Sequence, residues 1–321
     1  MLYCIQHVFT GDKTAEDKNN MINYREEIKR LKEEKDAHIL AHFYQPDEVQ
    51  EIADFVGDSY YLSKIGMDSP KSTIVFCGVS FMAESAKILS PNKKVLLPNN
   101  EAKCSMVELA TKENVLKMKE KYPNAKVVSY INSSTDVKAI SDACCTSSNA
   151  LKVIQNIDAE EVIFIPDKNL GEYIQEQLPN KKLILWDGFC CVHQRVRADE
   201  IIKYKEILEG STQVLVHPEC IKEVRATADY IGSTGQIIQY ASQNNADNFI
   251  IVTEEGILYQ LNTKYPNKNF HNLNIICQPM KRITVEDIYE SLVQEKNEII
   301  LEEDTRNQAY NALMKMHELG N

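Results

Sequence analysis

Apolar residues along this chain gather in short, largely β-branched runs, separated by segments in which apolar positions recur every three or four residues. The runs at 38–42, 73–77, 95–97, 127–130, 161–165, 183–186, 214–217, 249–252 and 274–277 are predicted strands, three in each third of the chain. Strands alternating with helices of about 10–15 residues imply βαβ units and parallel sheets. Residues 21–35 place Ile22, Ile28 and Leu31 on one face of a charged segment, an amphipathic surface helix. Near the other end, Ala309, Leu313 and Met316 mark a closing helix over 305–319, and the acidic run Glu302, Glu303, Asp304 reads as its solvated start.

The pattern repeats. The polar pairs His42/Tyr44, Tyr130/Asn132 and His217/Glu219 end three of the strands, and their first residues lie 88 and 87 apart. Ser59, Ser147 and Thr234, each ahead of a helical segment, keep the same two spacings, as do the strand starts Ile74, Val162 and Phe249. Cys104, Cys190 and Cys277 follow at 86 and 87. Four features in one register indicate three copies of a unit, each strand–helix–turn–helix–strand–helix–strand. The predicted organisation is an N-terminal extension and helix over 1–35, unit 1 over 36–123, unit 2 over 124–210, and unit 3 over 211–321 with the closing helix beyond 297. The fold class is α/β, with three pseudo-threefold-related units, each a parallel sheet with flanking helices, and the active site on the central axis. Ligands of parallel α/β sheets bind at the carboxyl ends of the strands.

Length alone suggests two domains, or three small ones sharing a core, and the repeat selects three units. With 36 Lys+Arg against 47 Asp+Glu, the net charge of −11 argues against a nucleic-acid partner, because phosphate binding needs clustered cations. No apolar run is long enough to span a bilayer, and residues 1–10 lack a basic start and a cleavage site, so a cytoplasmic protein is expected. Only 11 Gly are present, and neither GxGxxG nor GxxxxGK[ST] occurs, which removes the dinucleotide and P-loop readings. Nine Cys, an odd number without an export signal, argue against a disulfide framework. Cys4, Cys77, Cys144, Cys145 and Cys220 have no partner in the repeat and are expected to pack as small side chains, Cys220 at the edge of the site.

One Cys per unit, converging on an axis, makes a three-thiolate metal site. An iron–sulfur cluster held by three Cys leaves one iron open to substrate; zinc would need His193 as a fourth ligand. Cys191 fits the period as well as Cys190 does. The hydroxyls Ser59, Thr146, Ser147, Ser233 and Thr234 stand at expected helix N-termini, as caps or, three in register, as donors to an anionic ligand. The polar pairs, spaced i, i+2, fall on one face of a strand, and His217 with Glu219 is the best proton-transfer pair.

The segments AHFYQ (41–45), GDS (57–59), NNEAKCSM (99–106), YINSS (130–134), TSSNA (146–150), GFCCVH (188–193), VHPEC (216–220), GSTGQ (232–236) and CQPMKRIT (277–284) together resemble the quinolinate synthase family of bacterial de novo NAD biosynthesis, in the family's order and over about residues 36–300. The resemblance implies a condensing, dehydrating transferase that joins iminoaspartate and dihydroxyacetone phosphate into quinolinate, with loss of phosphate and water. It implies a 4Fe-4S cluster on Cys104, Cys190 and Cys277, the fourth iron acting as Lewis acid, and so selects Cys190 over Cys191. It gives Tyr44, His217 and Glu219 catalytic roles and makes His42, Ser59, Tyr130, Asn132, Ser147, His193, Ser233 and Thr234 substrate-contacting. An L-aspartate oxidase or dehydrogenase is the implied source of the labile iminoaspartate. Gln278 stands between Cys277 and Pro279 where the family commonly has Cys-Pro, the segment before residue 20 lies outside the family core, and the C-terminal CxxC of some members is absent. Another iron–sulfur hydro-lyase for a small anion, or a non-catalytic metal-binding or redox-sensing protein of the same fold, are the competing readings.

Overall fold

The computed structural model describes the backbone of residues 15–321 and side chains from residue 24 onward. Cys4, the side chain of Ile22 and the N-terminal residues 1–10 therefore lie outside the described residues. The helix expected over 21–35 spans Ala15–Glu34 and buries Ile28 and Leu31.

Three four-stranded parallel sheets follow one another along the chain. The first holds β1 (Ala37–His42), β2 (Phe55–Gly57), β3 (Thr73–Cys77) and β4 (Lys94–Leu96). The second holds β5 (Lys126–Tyr130), β6 (Ala143–Cys145), β7 (Glu161–Ile165) and β8 (Lys182–Leu185). The third holds β9 (Thr212–Val216), β10 (Tyr230–Ile231), β11 (Asn248–Val252) and β12 (Asn269–Asn272). Their strand orders are the same, β2-β1-β3-β4, β6-β5-β7-β8 and β10-β9-β11-β12. The two central strands of each sheet are almost wholly buried, as an apolar run covered on both faces requires.

Two expectations are corrected. Each unit has four strands rather than three, since β2, β6 and β10 are only two or three residues long and occupy the predicted turn. The strand predicted over 274–277 is a loop, and the last strand is the polar Asn269–Asn272. Asn274 adopts a left-handed conformation (φ 53°), which ends the extended backbone, and the Asn272 side chain accepts the Ile275 N–H at 2.9 Å to close the turn.

The repeat extends to contacts. Asp54, Asp142 and Asp229, 88 and 87 residues apart, accept the N–H groups of Ile39, Val127 and Val214 at 2.8, 2.8 and 2.7 Å, tying the approach to each short strand to the first strand of its sheet. Gln50, Lys138 and Arg225, in the same register and all buried, donate to the carbonyls of Gln45, Ser133 and Cys220 at 3.0, 2.6 and 2.7 Å. These side chains also reach the preceding unit. Gln50 donates to the Gly256 carbonyl at 2.8 Å, Arg225 to that of Asn169 at 3.2 Å, and the Lys138 ammonium lies 5.4 Å from the Phe81 ring centre. Residues 81, 169 and 256 are again 88 and 87 apart, so the third unit grips the second, the second the first, and the first the third, closing a ring.

The closing helix runs Glu303–Gly320, with the Glu302 carboxylate accepting the N–H groups of Asp304 and Thr305. It lies across elements of the first two units and buries Ala309, Leu313 and Met316. No helix among the described residues is long and apolar enough to cross a membrane.

Candidate active site

The carboxyl ends of β1, β5 and β9 meet at a cavity of about 80 Å³, partly open to solvent and lined by residues of all three units. His42, Tyr44, Ser59, Tyr130, Asn132, Ser147, His193, His217, Glu219 and Thr234 line it together with Cys104, Cys190 and Cys277. Ser233 does not. It is fully buried and caps the helix Thr234–Gln243, in a reciprocal capping box with Gln236.

The polar pairs straddle the strand ends and do not share a strand face: His42 and Tyr130 are the last residues of β1 and β5, and Tyr44, Asn132, His217 and Glu219 lie in the turns beyond. β1 ends at His42 and β9 at Val216, and the amides of Tyr44 and Glu219 fold back to donate to the Nδ1 atoms of His42 and His217 at 3.2 and 3.3 Å. Burial lowers both imidazoles to about 3, so they are neutral at physiological pH. With Nδ1 accepting, the proton resides on Nε2, and each ring is a hydrogen-bond donor.

A continuous hydrogen-bonded chain crosses the three units. Glu219 accepts from the Tyr130 hydroxyl on one oxygen and contacts His193 Nδ1 at 2.9 Å on the other. His193 Nε2 lies 3.1 Å from the Thr253 hydroxyl, which lies 2.8 Å from that of Tyr44, itself 2.8 Å from Thr234. The His193 ring stacks on His217 with centroids 4.7 Å apart. Burial would raise the Glu219 carboxyl, but His217, His193 and Tyr130 hold it below the usual carboxylate range, ionised. Burial pushes the Tyr44 and Tyr130 hydroxyls well up, so both keep their protons.

The three cysteines share a local geometry. Each is the N-cap of a four-residue helix, Ser105–Glu108, Cys191–Gln194 or Gln278–Lys281. The backbone amides of Met106, His193 and Met280 favour the respective thiolates, although burial dominates and raises all three thiols, that of Cys104 to about 12. Cys191 occupies the first helical position instead, with its sulfur 3.8 Å from the Ser105 hydroxyl. Cys77, Cys144 and Cys145 are buried, as expected of small packing side chains. Cys220 is buried too, but its thiol points to the Val252 carbonyl at 3.8 Å and is not among the cavity-lining residues, contrary to expectation.

Several residues escaped the sequence reading. Thr253 completes the hydrogen-bonded chain, and Asp58 caps the helix Ser59–Asp68 from the cavity wall. Glu254, wholly buried, receives the Lys281 ammonium at 3.0 Å, and Lys281 also donates to the Tyr44 carbonyl at 2.9 Å. Burial raises the Glu254 carboxyl to about 7 against the pull of Lys281. Donor atoms of Cys190, His193 and Glu219 lie within 4.8 Å of one another, a grouping able to hold one metal ion.

The quinolinate synthetase A protein family model matches residues 26–318 of this chain. The chain belongs to that family. It is 55% identical over 301 residues to a quinolinate synthase of Clostridium perfringens strain 13, covering 93% of this chain and all of that protein. A quinolinate synthase of Clostridioides difficile is 53% identical over 295 residues, 91% of this chain and 97% of the relative. One of Caldicellulosiruptor saccharolyticus is 50% identical over 297 residues, 92% and 98%. The family match thus extends over all three sheets and every residue lining the cavity.

Proposed function

We propose that the cavity condenses iminoaspartate with dihydroxyacetone phosphate to quinolinate, releasing phosphate and water, around a 4Fe-4S cluster held by Cys104, Cys190 and Cys277. The observation that carries this reading is the placement of three cysteines, one per unit, as equivalent N-caps on one shared cavity, in a chain of this family. The donor set fits the group. Burial raises three thiols that line one cavity, and a bound metal supplies the driving force to ionise them. A lone zinc ion on Cys190, His193 and Glu219 would leave Cys104 and Cys277 without a role and displace the hydrogen bonds Glu219 already makes. When bound, the cluster supplies an open iron that acts as Lewis acid on a substrate oxygen.

The protein's own groups do the rest. Glu219, ionised between Tyr130 and His193, is the base for the ketose–aldose proton shift, and the Nε2–H groups of His42 and His217 donate to substrate oxygens. Tyr44 delivers its proton through a hydroxyl already aligned by Thr234 and Thr253. Ser59, Ser147 and Thr234, with Asn132, hold the phosphate and carboxylates. An L-aspartate oxidase or dehydrogenase in the cytoplasm is the natural source of the imine. Anaerobically reconstituted protein given iminoaspartate and dihydroxyacetone phosphate is expected to release quinolinate. Release of none, from protein that carries its cluster, favours an iron–sulfur hydro-lyase for another small anion or a redox sensor.

A further inference from the structure

Asp167 and Glu254, 87 residues apart, each stand two residues beyond a central strand, β7 or β11, and both are completely buried. Each divides its two oxygens between two tasks. One oxygen of Asp167 accepts the Leu170 N–H at 2.8 Å, capping the helix Lys168–Gln177, and the other accepts the Cys190 N–H at 2.9 Å. One oxygen of Glu254 accepts the Gly256 N–H at 2.8 Å, and the other accepts both the Cys277 N–H at 3.2 Å and the Lys281 ammonium at 3.0 Å. In the first unit the equivalent place, 88 residues before Asp167, is Val79, which has no acceptor; there the Asn132 amide approaches the Cys104 sulfur at 3.8 Å.

A helix cap or a turn alone does not call for a buried acid, since Ser or Asn serves as well at lower desolvation cost. Two side-chain oxygens, one for each backbone N–H, are what a carboxyl group alone offers. We infer that Asp167 and Glu254 are positioning residues for the metal centre, fixing the main chain at Cys190 and Cys277 before metal arrives and leaving Cys104 as the arm that adjusts. The inference rests on the cluster reading above. The contrast with Asp54, Asp142 and Asp229 supports it: those three occur in every unit, each holding a strand amide and the ammonium of Lys32, Lys126 or Lys205 and none a cysteine amide, and form framework common to the repeat.

The test compares full-length Asp167→Asn, Glu254→Gln and, as a framework control, Asp54→Asn. An amide side chain keeps one acceptor and sets a donor against the other N–H. Amide hydrogen exchange is read on metal-free protein, and iron loss to a chelator on anaerobically reconstituted protein. Asp167→Asn is expected to speed exchange at Cys190 and not at Cys277, and Glu254→Gln the reverse. Each should accelerate iron loss roughly tenfold, the scale of one lost hydrogen bond. Glu254→Asp, which keeps both oxygens, should recover part of the loss, and Asp54→Asn should lower thermal stability without changing either readout. If Asp167→Asn fails to fold, Glu254→Gln and Glu254→Asp decide. Exchange and iron loss equal to the wild type, or equal acceleration by Asp54→Asn, overturn the inference. A wild-type protein that takes up no iron instead overturns the cluster reading, while the exchange measurements still decide the positioning role.

Discussion

The Tyr44 hydroxyl, from the first unit, lies 2.8 Å from the Thr253 hydroxyl of the third, and Thr253 in turn lies 3.1 Å from His193 of the second. One threonine therefore joins a candidate catalytic tyrosine to the His193–Glu219 pair. Thr253→Val keeps the shape and removes the hydroxyl. It is expected to lower kcat about tenfold or more with little change in KM, and Thr253→Ser is expected to restore it; steady-state kinetics of the two variants check this.

Glu219 and Tyr130 meet in the same network, and their removal should have separable effects. Glu219→Gln is expected to lower kcat by roughly 10²–10⁴ while leaving the iron content unchanged, since Glu219 is proposed as base and not as ligand. Paired kinetics and metal analysis decide it. A loss of metal with Glu219→Gln would favour the single-ion grouping of Cys190, His193 and Glu219.

Arg225 is buried and bonds to two carbonyls, one in its own unit and one in the preceding unit. Arg225→Ala strands both acceptors at the junction of the second and third units. A loss of about 2–4 kcal/mol in urea unfolding is expected. Lys138→Met at the equivalent place should cost less, because its ammonium is itself held back by burial and replacing it removes a buried charge.

His317 couples the closing helix to pH. Its ring stacks on Tyr60 at 5.0 Å, its Nδ1 is buried without a hydrogen-bond partner, and burial lowers it to about 4 from an ordinary 6.5. A group depressed in the folded state contributes its full stability above its unfolded pKa and loses it as pH falls, here from about 6.5 toward 4. Unfolding free energies measured across that window should fall less steeply in His317→Phe, by on the order of 1–2 kcal/mol in total.

The larger architecture was legible because duplication preserves spacing. Strand starts, helix-end hydroxyls and cysteines kept one register even though most residue identities changed. The short β2, β6 and β10 were not legible, since two or three residues are too few to establish a period, and the polar Asn269–Asn272 was hidden by the more apolar loop after it. Ser233 and Thr234 look alike in sequence, yet one position along a helix start separates the cap from the cavity-lining residue. Asp167 and Glu254 stayed hidden because the first unit has Val79 in their place, so no triple marked them. Thr253 bonds to partners 209 and 60 residues away, contacts that only the closed ring creates.

Iron in three thiolate environments and one open position should be directly visible to Mössbauer spectroscopy of anaerobic protein reconstituted with isotopically labelled iron. Three cysteines on one cluster predict a three-to-one pattern of iron sites, with the minor site alone shifting when a substrate analogue binds and the whole pattern lost in Cys104→Ser, Cys190→Ser or Cys277→Ser. A colourless preparation holding a single zinc ion, or four equivalent irons indifferent to the analogue, would contradict it.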